Sequence, residues 1–446
     1  MRSSVLCLLL ILIFSCLTAA RSRPQDDNPP PDARYKADIL AIFGHPDDEV
    51  EVAAFLAQQI ELQHKRVAVV YMTRGNSGGN AAGLEQATAL GDIREMEARH
   101  SLASYGITNA WFLHGADTPG ADVLHSLEAW GHGRALDEIV RLVRITRPGV
   151  IITWLPAYVV GENHEDHQGS GVLATEAFDL AANPLAFPEQ LETPRNRAAI
   201  NNYGEGLRPW QPKKIYYVSD ADHFDFYKGN GPEYATGQLS PSKKVPYSRI
   251  AANAWTFYLT QNDFSDAQLK EFTEAPVRFI FGKSLVGGTP TGDVFEGIIS
   301  EPIAYAPPRG YEPPAPGLRF DLGGPWAFYR EFWPAHDIGH LKELFSPEAQ
   351  VGPGESLWVP LLIRNNTESP RDITLRVTLP PNWTSKPEPS SLTIPAHESA
   401  SVQLTVTSSV ADKNAWKTLA FEADSKGQKI GAASLRVKVA GNGLPQ

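Results

Sequence analysis

A doubly wound, mostly parallel α/β sheet followed by an all-β sandwich is the architecture the sequence predicts, on three observations. Short apolar runs alternate with stretches of helical periodicity through the first half of the chain. A proline cluster, Pro307-Pro308, Pro313-Pro314 and Pro316, then interrupts the pattern. Beyond it, about a hundred residues turn to strict alternation of apolar and polar positions, the signature of half-buried strands. The length of 446 residues, at roughly 150 per domain, agrees with several domains. The formal charge is −11, from 51 acidic against 40 basic residues, so no basic surplus exists to neutralise a phosphate backbone, and nucleic acid is excluded as an expected partner.

Residues 1–20 read as a secretory signal peptide: Arg2 supplies the positive start, Val5 to Leu17 an apolar run, and Thr18-Ala19-Ala20 a small-residue cleavage site. The run is shorter than the ~18 residues that a membrane span needs, so the expectation is a secreted or periplasmic protein, with an uncleaved anchor and, less favoured, a lipid on Cys16 as the alternatives. Both cysteines, Cys7 and Cys16, fall in this segment, and a mature chain would carry no disulfide. Residues 21–35 are polar and proline-rich, a linker. An α/β domain is expected over 36–317, a helical connector over 318–345 and a β-sandwich over 346–442.

Within the first domain, Ala37 to Phe43 is an apolar run ended by Gly44, and Val52, Leu56 and Ile60 follow at helical spacing. Strands are expected again at 66–72, 110–113, 149–155 and 214–219. Helices are expected at 92–105, at 134–145, where Leu136, Ile139, Val140 and Val143 share a face, and at 170–182. Periodicity does not order the elements between 183 and 317. In a sheet of this kind ligands sit beyond the carboxyl ends of the strands, where two charged constellations fall. The first is His45-Pro46-Asp47-Asp48-Glu49 and the second His164-Glu165-Asp166-His167. Singly, one reads as a helix start with dipole-matched acids and the other as a solvated loop. Together, two histidines and a carboxylate can form a three-ligand zinc site with a fourth position left for water, and spare carboxylates can act as base.

At these residues the chain resembles the PIG-L/LmbE-like zinc deacetylases, whose motifs have the forms (A/G/P)HPDDE and HxDH. Thr73-Arg74-Gly75 and Arg94-Glu95-Met96-Glu97 add to the likeness, which covers Ala37 to about Leu180. The resemblance implies a Rossmann-like sheet, and Zn2+ held by His45, Asp48 and His167. It further implies Asp47 as general base, His164 as oxyanion stabiliser or acid, Asp166 as the group that orients His164, and Arg94 and Asp117 as sugar contacts. The implied reaction is hydrolysis of the acetamide of N-acetylglucosamine-type substrates. A non-acetyl amide substrate, or a carbohydrate-binding or surface protein without turnover, are the alternatives. The C-terminal region resembles the Ig-like domain appended to glycan-processing enzymes, through Pro380-Pro381-Asn382-Trp383 and Leu392 to Ala396.

Two further patterns invite a reading. His336-Asp337-Ile338-Gly339-His340 mimics the H-E-x-x-H zinc helix, but its aspartate is short and Gly339 weakens a helix. Asn365 and Asn382 stand in N-x-T sequons, which matter if the chain is exported through a glycosylating compartment.

Overall fold

The computed structural model describes residues 31, 33–118, 120, 122–158, 164–193, 204–219, 228–261, 264–299, 316–344, 346–386 and 391–441. The expected signal segment and most of the linker lie outside the described residues. Among the described residues no helix is long and apolar enough to cross a membrane.

Five apolar runs become the parallel strands β1 (Ile39–Phe43), β2 (Val67–Tyr71), β3 (Asn109–Phe112), β4 (Val150–Trp154) and β5 (Lys214–Val218). All but the edge strand β3 are buried along their whole length, because helices cover both faces of the sheet. After the two-residue pair β6 (Glu233–Tyr234) and β7 (Val277–Arg278), strand β8 (Ile280–Ser284) joins antiparallel to β5, and the order is β3-β2-β1-β4-β5-β8. On one face lie α1 (Ala53–Gln63), α2 (Ala87–Ser104) and α6 (Tyr247–Trp255), with α7 (Asp266–Glu274) packed against them. On the other lie α3 (Val123–Ala129), α4 (His132–Thr146) and α5 (Glu165–Leu180). The mixed α/β class with a parallel core is therefore the one the alternation predicts.

One element boundary changes the chemistry. The helix expected from Ser170 starts at Glu165, so Asp166 and His167 sit in its first turn, and His164 is its N-cap residue. Gly169, Ser170 and Gly171 are poor helix formers and read locally as loop, but packing demands small residues there. A Cβ on Gly171 would stand 2.3 Å from the Trp154 carbonyl oxygen, so only glycine lets α5 lie this close to β4.

The C-terminal unit is two sheets around one apolar core. Strand β9 (Gly317–Leu322) is followed by α8 (Gly324–Ala335) and then by β10 (Glu348–Val351), β11 (Ser356–Asn366), β12 (Arg371–Thr378) and β13 (Thr384–Lys386). The rest are β14 (Ser391–Ile394), β15 (Glu398–Thr407), β16 (Trp416–Ser425) and β17 (Gln428–Val439). The sheets run β10-β17-β16-β12-β14 and β13-β15-β11-β9. Val359, Leu361 and Ile363 of β11 face Leu419, Phe421, Leu435 and Val437 in the shared core, as the alternation requires.

The division between the units differs from the expected 318–345 connector. β9 pairs along β11 from Leu361–Leu322 to Asn366–Gly317, so the sandwich begins at Gly317. The helix that follows buries Tyr329, Phe332 and Trp333 in the core of the α/β unit. Burial also separates the two sequons. Asn365 is fully buried and its amide nitrogen donates to the carbonyls of Ser369, Ile394 and Pro395, which removes it as a glycan acceptor, whereas Asn382 is exposed.

Gly171→Ala is expected to lower stability by about 1–3 kcal/mol through overpacking against backbone, read as a fall in the thermal midpoint. An unchanged midpoint would show that α5 is not seated on Trp154.

Candidate active site

Strand β1 pairs with β2 on one side and β4 on the other, so the chain leaves β1 in one direction and later returns on the opposite side. A crevice opens at the carboxyl ends of two such strands. The Gly44–Asp48 turn follows β1, and the segment leading to α5 follows β4. Gly44 permits the two to touch: a Cβ there would lie 3.3 Å from the His167 ring and 3.4 Å from the Asp166 backbone.

The turn is strained and held. Asp47 has φ 114° and ψ −26°, a left-handed conformation that costs a non-glycine residue about 1–3 kcal/mol. Behind it the wholly buried Glu49 accepts hydrogen bonds from Tyr71 Oη (2.6 Å), Tyr258 Oη (2.6 Å) and Ser101 Oγ (3.2 Å), while Gln261 donates to the Pro46 carbonyl at 2.7 Å. These bonds secure the turn on both sides of Asp47.

Asp48 is the centre of the site. Its Oδ2 accepts from the Gly44 amide (2.9 Å), the His45 amide (3.0 Å) and Trp154 Nε1 (2.5 Å). Its Oδ1 is left facing His167 Nε2 at 3.3 Å and His45 Nδ1 at 3.8 Å. Burial alone would raise the Asp48 pKa, but the two imidazoles hold it well below the usual carboxylate range. Trp154 also stacks on the His167 ring, 4.1 Å between centroids and 10° between planes, so one residue orients two others. His45, His164 and His167 each bring a ring nitrogen within 4.8 Å of the others. Imidazole and carboxylate donors around one anionic oxygen suit zinc. Nearby, Asp117 Oδ1 is buried and makes no hydrogen bond among the described residues, which adds to the pull on a cation.

Asp166 does not take the role the resemblance implies. Its Oδ2 lies 3.2 Å from His45 Nε2 and accepts from the Thr118 amide (3.0 Å), while Oδ1 accepts from Thr118 Oγ1 at 2.5 Å. It orients His45 rather than His164. Burial would lower the His45 pKa, but the bonds to Asp166 and Asp48 raise it well above its ordinary value. His164, by contrast, has its pKa pushed down to about 2 by burial and by the charges of His167 and His45. It enters the site as a neutral imidazole. The Asp47 carboxyl is raised well above its usual range, by burial first and by the charge of Asp48 second.

Arg94 is buried and donates to the carbonyls of Gly75 (2.5 Å) and Gly79 (2.8 Å), and Asp117 Oδ2 accepts from the Ser77 amide at 2.7 Å. Both brace the glycine-rich loop after β2 that walls the crevice. The other histidine motif divides: α8 ends at Ala335, His336 Nδ1 bonds Asp179 at 2.6 Å, and His340 Nε2 donates to the Phe281 carbonyl at 2.9 Å. The two imidazoles tether different elements. Trp154, Thr118 and the hydroxyl partners of Glu49 escape sequence reasoning because no spacing marks them; the one usable signal is that Trp154 ends a strand on the ligand-bearing edge.

Residues 40–178 match the family described as PIG-L: GlcNAc-PI de-N-acetylase. A relative from Rhodococcus erythropolis, named 1D-myo-inositol 2-acetamido-2-deoxy-alpha-D-glucopyranoside deacetylase, is 30% identical over 215 residues, 41% of this chain and 72% of that protein. The chain belongs to the PIG-L family. A PIG-L relative from Catenulispora acidiphila with the same activity in its name is 26% identical, over 38% of this chain and 56% of its own length. The chain thus spans little more than half of some curated relatives it matches. Among solved structures, N,N'-diacetylchitobiose deacetylase from Pyrococcus horikoshii aligns over 55% of this chain and 83% of its own at 18% identity, with a TM-score of 0.40. The PIG-L match contains all eight candidate site residues and ends before the sandwich.

Trp154→Phe removes the Asp48 bond and keeps an aromatic ring on His167. Metal affinity, titrated against a chromophoric chelator, should fall by about 10–100-fold; no change would remove Trp154 from the support of Asp48. Replacing His336 and His340 together by alanine should leave metal content at the wild-type level by elemental analysis, and its loss would return that pair to the site.

Proposed function

We propose that this protein is an exported, zinc-dependent N-deacetylase acting on N-acetylated glucosamine units. The carrying observation is the buried Asp48 carboxylate, with one oxygen saturated by backbone and Trp154 and the other turned to two imidazoles beside the strained Asp47. Membership of the PIG-L family supports it, as do the named deacetylase activities of the relatives. Export rests on the sequence of residues 1–20 alone. The C-terminal sandwich is taken as an Ig-like appended domain.

His45, Asp48 and His167 would hold the zinc, and His164, with a ring nitrogen within 4.8 Å of those of the other two histidines, stands beside them. When bound, zinc supplies Lewis acidity that polarises an amide carbonyl and lowers the pKa of water. Asp47 accepts the proton of the attacking water. Its pKa, raised by burial and by the neighbouring Asp48 charge, favours holding that proton and passing it to the departing amine, so acetate and a free amine leave. His164, neutral, donates its ring N–H to the oxygen on which charge develops. Asp166, fixed by Thr118, keeps the His45 ring in its ligating orientation. Asp117 Oδ1 is available to accept from a sugar hydroxyl, and Arg94 holds the loop around it.

The test is zinc content of the purified chain together with acetate release from N-acetylglucosamine oligomers. About one zinc per chain with acetate released is expected, from the single-site ligand set. Zinc without acetate would move the substrate to another amide, and absence of metal would favour a carbohydrate-binding protein. Asp47→Asn should reduce turnover by at least about 100-fold while retaining zinc. Loss of zinc in that variant would contradict its assignment as base.

A further inference from the structure

Helix α8 belongs in sequence to the sandwich and in space to both units. Toward the sandwich, Arg330 donates to the Leu322 carbonyl at 2.9 Å and pairs with Asp321 at 3.0 Å, both in β9, and Glu331 pairs with Arg364 of β11. Toward the α/β unit it turns the opposite stripe: Tyr329, Phe332, Trp333 and His336, spaced three and four apart. The rings of Tyr329 and Trp333 stack with centroids 5.7 Å apart, which stiffens the stripe.

The places this stripe touches are those from which the metal ligands project. Tyr329 Oη donates to Gln168 Oε1 at 2.6 Å; both residues are buried, and Gln168 follows His167 in the first turn of α5. Trp333 Nε1 donates to the Pro156 carbonyl at 3.1 Å, two residues beyond the Trp154 that supports Asp48 and stacks on His167. His336 reaches Asp179 near the far end of α5. Pro156 after β4, Gln168 beside His167 and Asp179 near the end of α5 are therefore each held by α8 or by its C-cap residue His336, outside the family-matched residues 40–178.

From the Tyr329–Gln168 hydrogen bond we infer that α8 makes the sandwich a structural part of the active site, with Tyr329 as a positioning residue for His167. The inference rests on the reading of His167 as a metal ligand. Phenylalanine in place of Tyr329 keeps the ring packing and removes only the bond, so the first turn of α5 loses a fixed point while the core stays filled.

The experiment uses the full chain and zinc itself. Tyr329→Phe should weaken zinc binding by about tenfold or more in competition with a chromophoric chelator, and should shift the visible absorption of the Co2+-substituted protein. Gln168→Met should do the same, and the double variant should be no weaker than the single ones, since both remove one interaction. His336→Ala, which frees the far end of α5, should lower the thermal midpoint without moving zinc affinity or the Co2+ spectrum. Wild-type zinc affinity in both Tyr329→Phe and Gln168→Met, with His167→Ala impaired, would overturn the positioning role alone. Wild-type affinity in His167→Ala would overturn the ligand reading and this inference with it.

Discussion

The site depends on the division of labour within one carboxylate. Asp48 is buried beside the sheet, where an ionised group is costly unless every lone pair is occupied. Two backbone amides and the Trp154 indole satisfy one oxygen and fix the plane of the group, leaving the second to the imidazoles of His45 and His167. Each supporting group comes from an element that the fold must place separately: the turn after β1, the end of β4 and the first turn of α5. The reversal of strand order at β1, which has β2 on one side and β4 on the other, brings the three together.

Around this anion the protein arranges charges so that neighbouring groups differ in what they can do. Asp47, next in sequence to Asp48, is held in a left-handed backbone, and burial and the neighbouring Asp48 charge raise its pKa against the opposing pull of His45 and Arg94. His45 lies between Asp48 and Asp166, which fix its ring on both sides, while His164 faces two imidazoles and is driven toward the neutral form. Two neighbouring carboxyls of the same chemistry thereby acquire opposite tendencies, which is what separates binding a cation from moving a proton. Glu49 and its three hydroxyl donors stabilise the backbone that makes this possible.

The sandwich is joined to the α/β unit by a shared structural member. Residues that read as a connector form an edge strand of one unit and then a helix buried in the other, so few bonds could break between the units without exposing aromatic surface. The same packing logic explains the early start of α5: glycines that weaken a helix in isolation are the residues that let it approach Trp154 and Trp130.

By itself the sequence determined the alternation of strands and helices, the change to period two after the prolines, and both acidic-histidine motifs. These are local patterns, legible because side-chain periodicity and turn chemistry act over a few residues. Tertiary structure alone decided which partner each side chain takes. Asp166 meets His45 across 121 residues and Glu49 meets Tyr258 across 209, and no spacing encodes such pairs. It likewise buried one sequon and exposed the other, split the two histidines of the H-D-I-G-H run between separate tethers, and assigned Tyr329 to the first turn of α5. The physical reason is that burial and hydrogen-bond satisfaction are settled by the whole packed chain, where the cost of an unpaired polar group selects among partners that are equivalent in sequence.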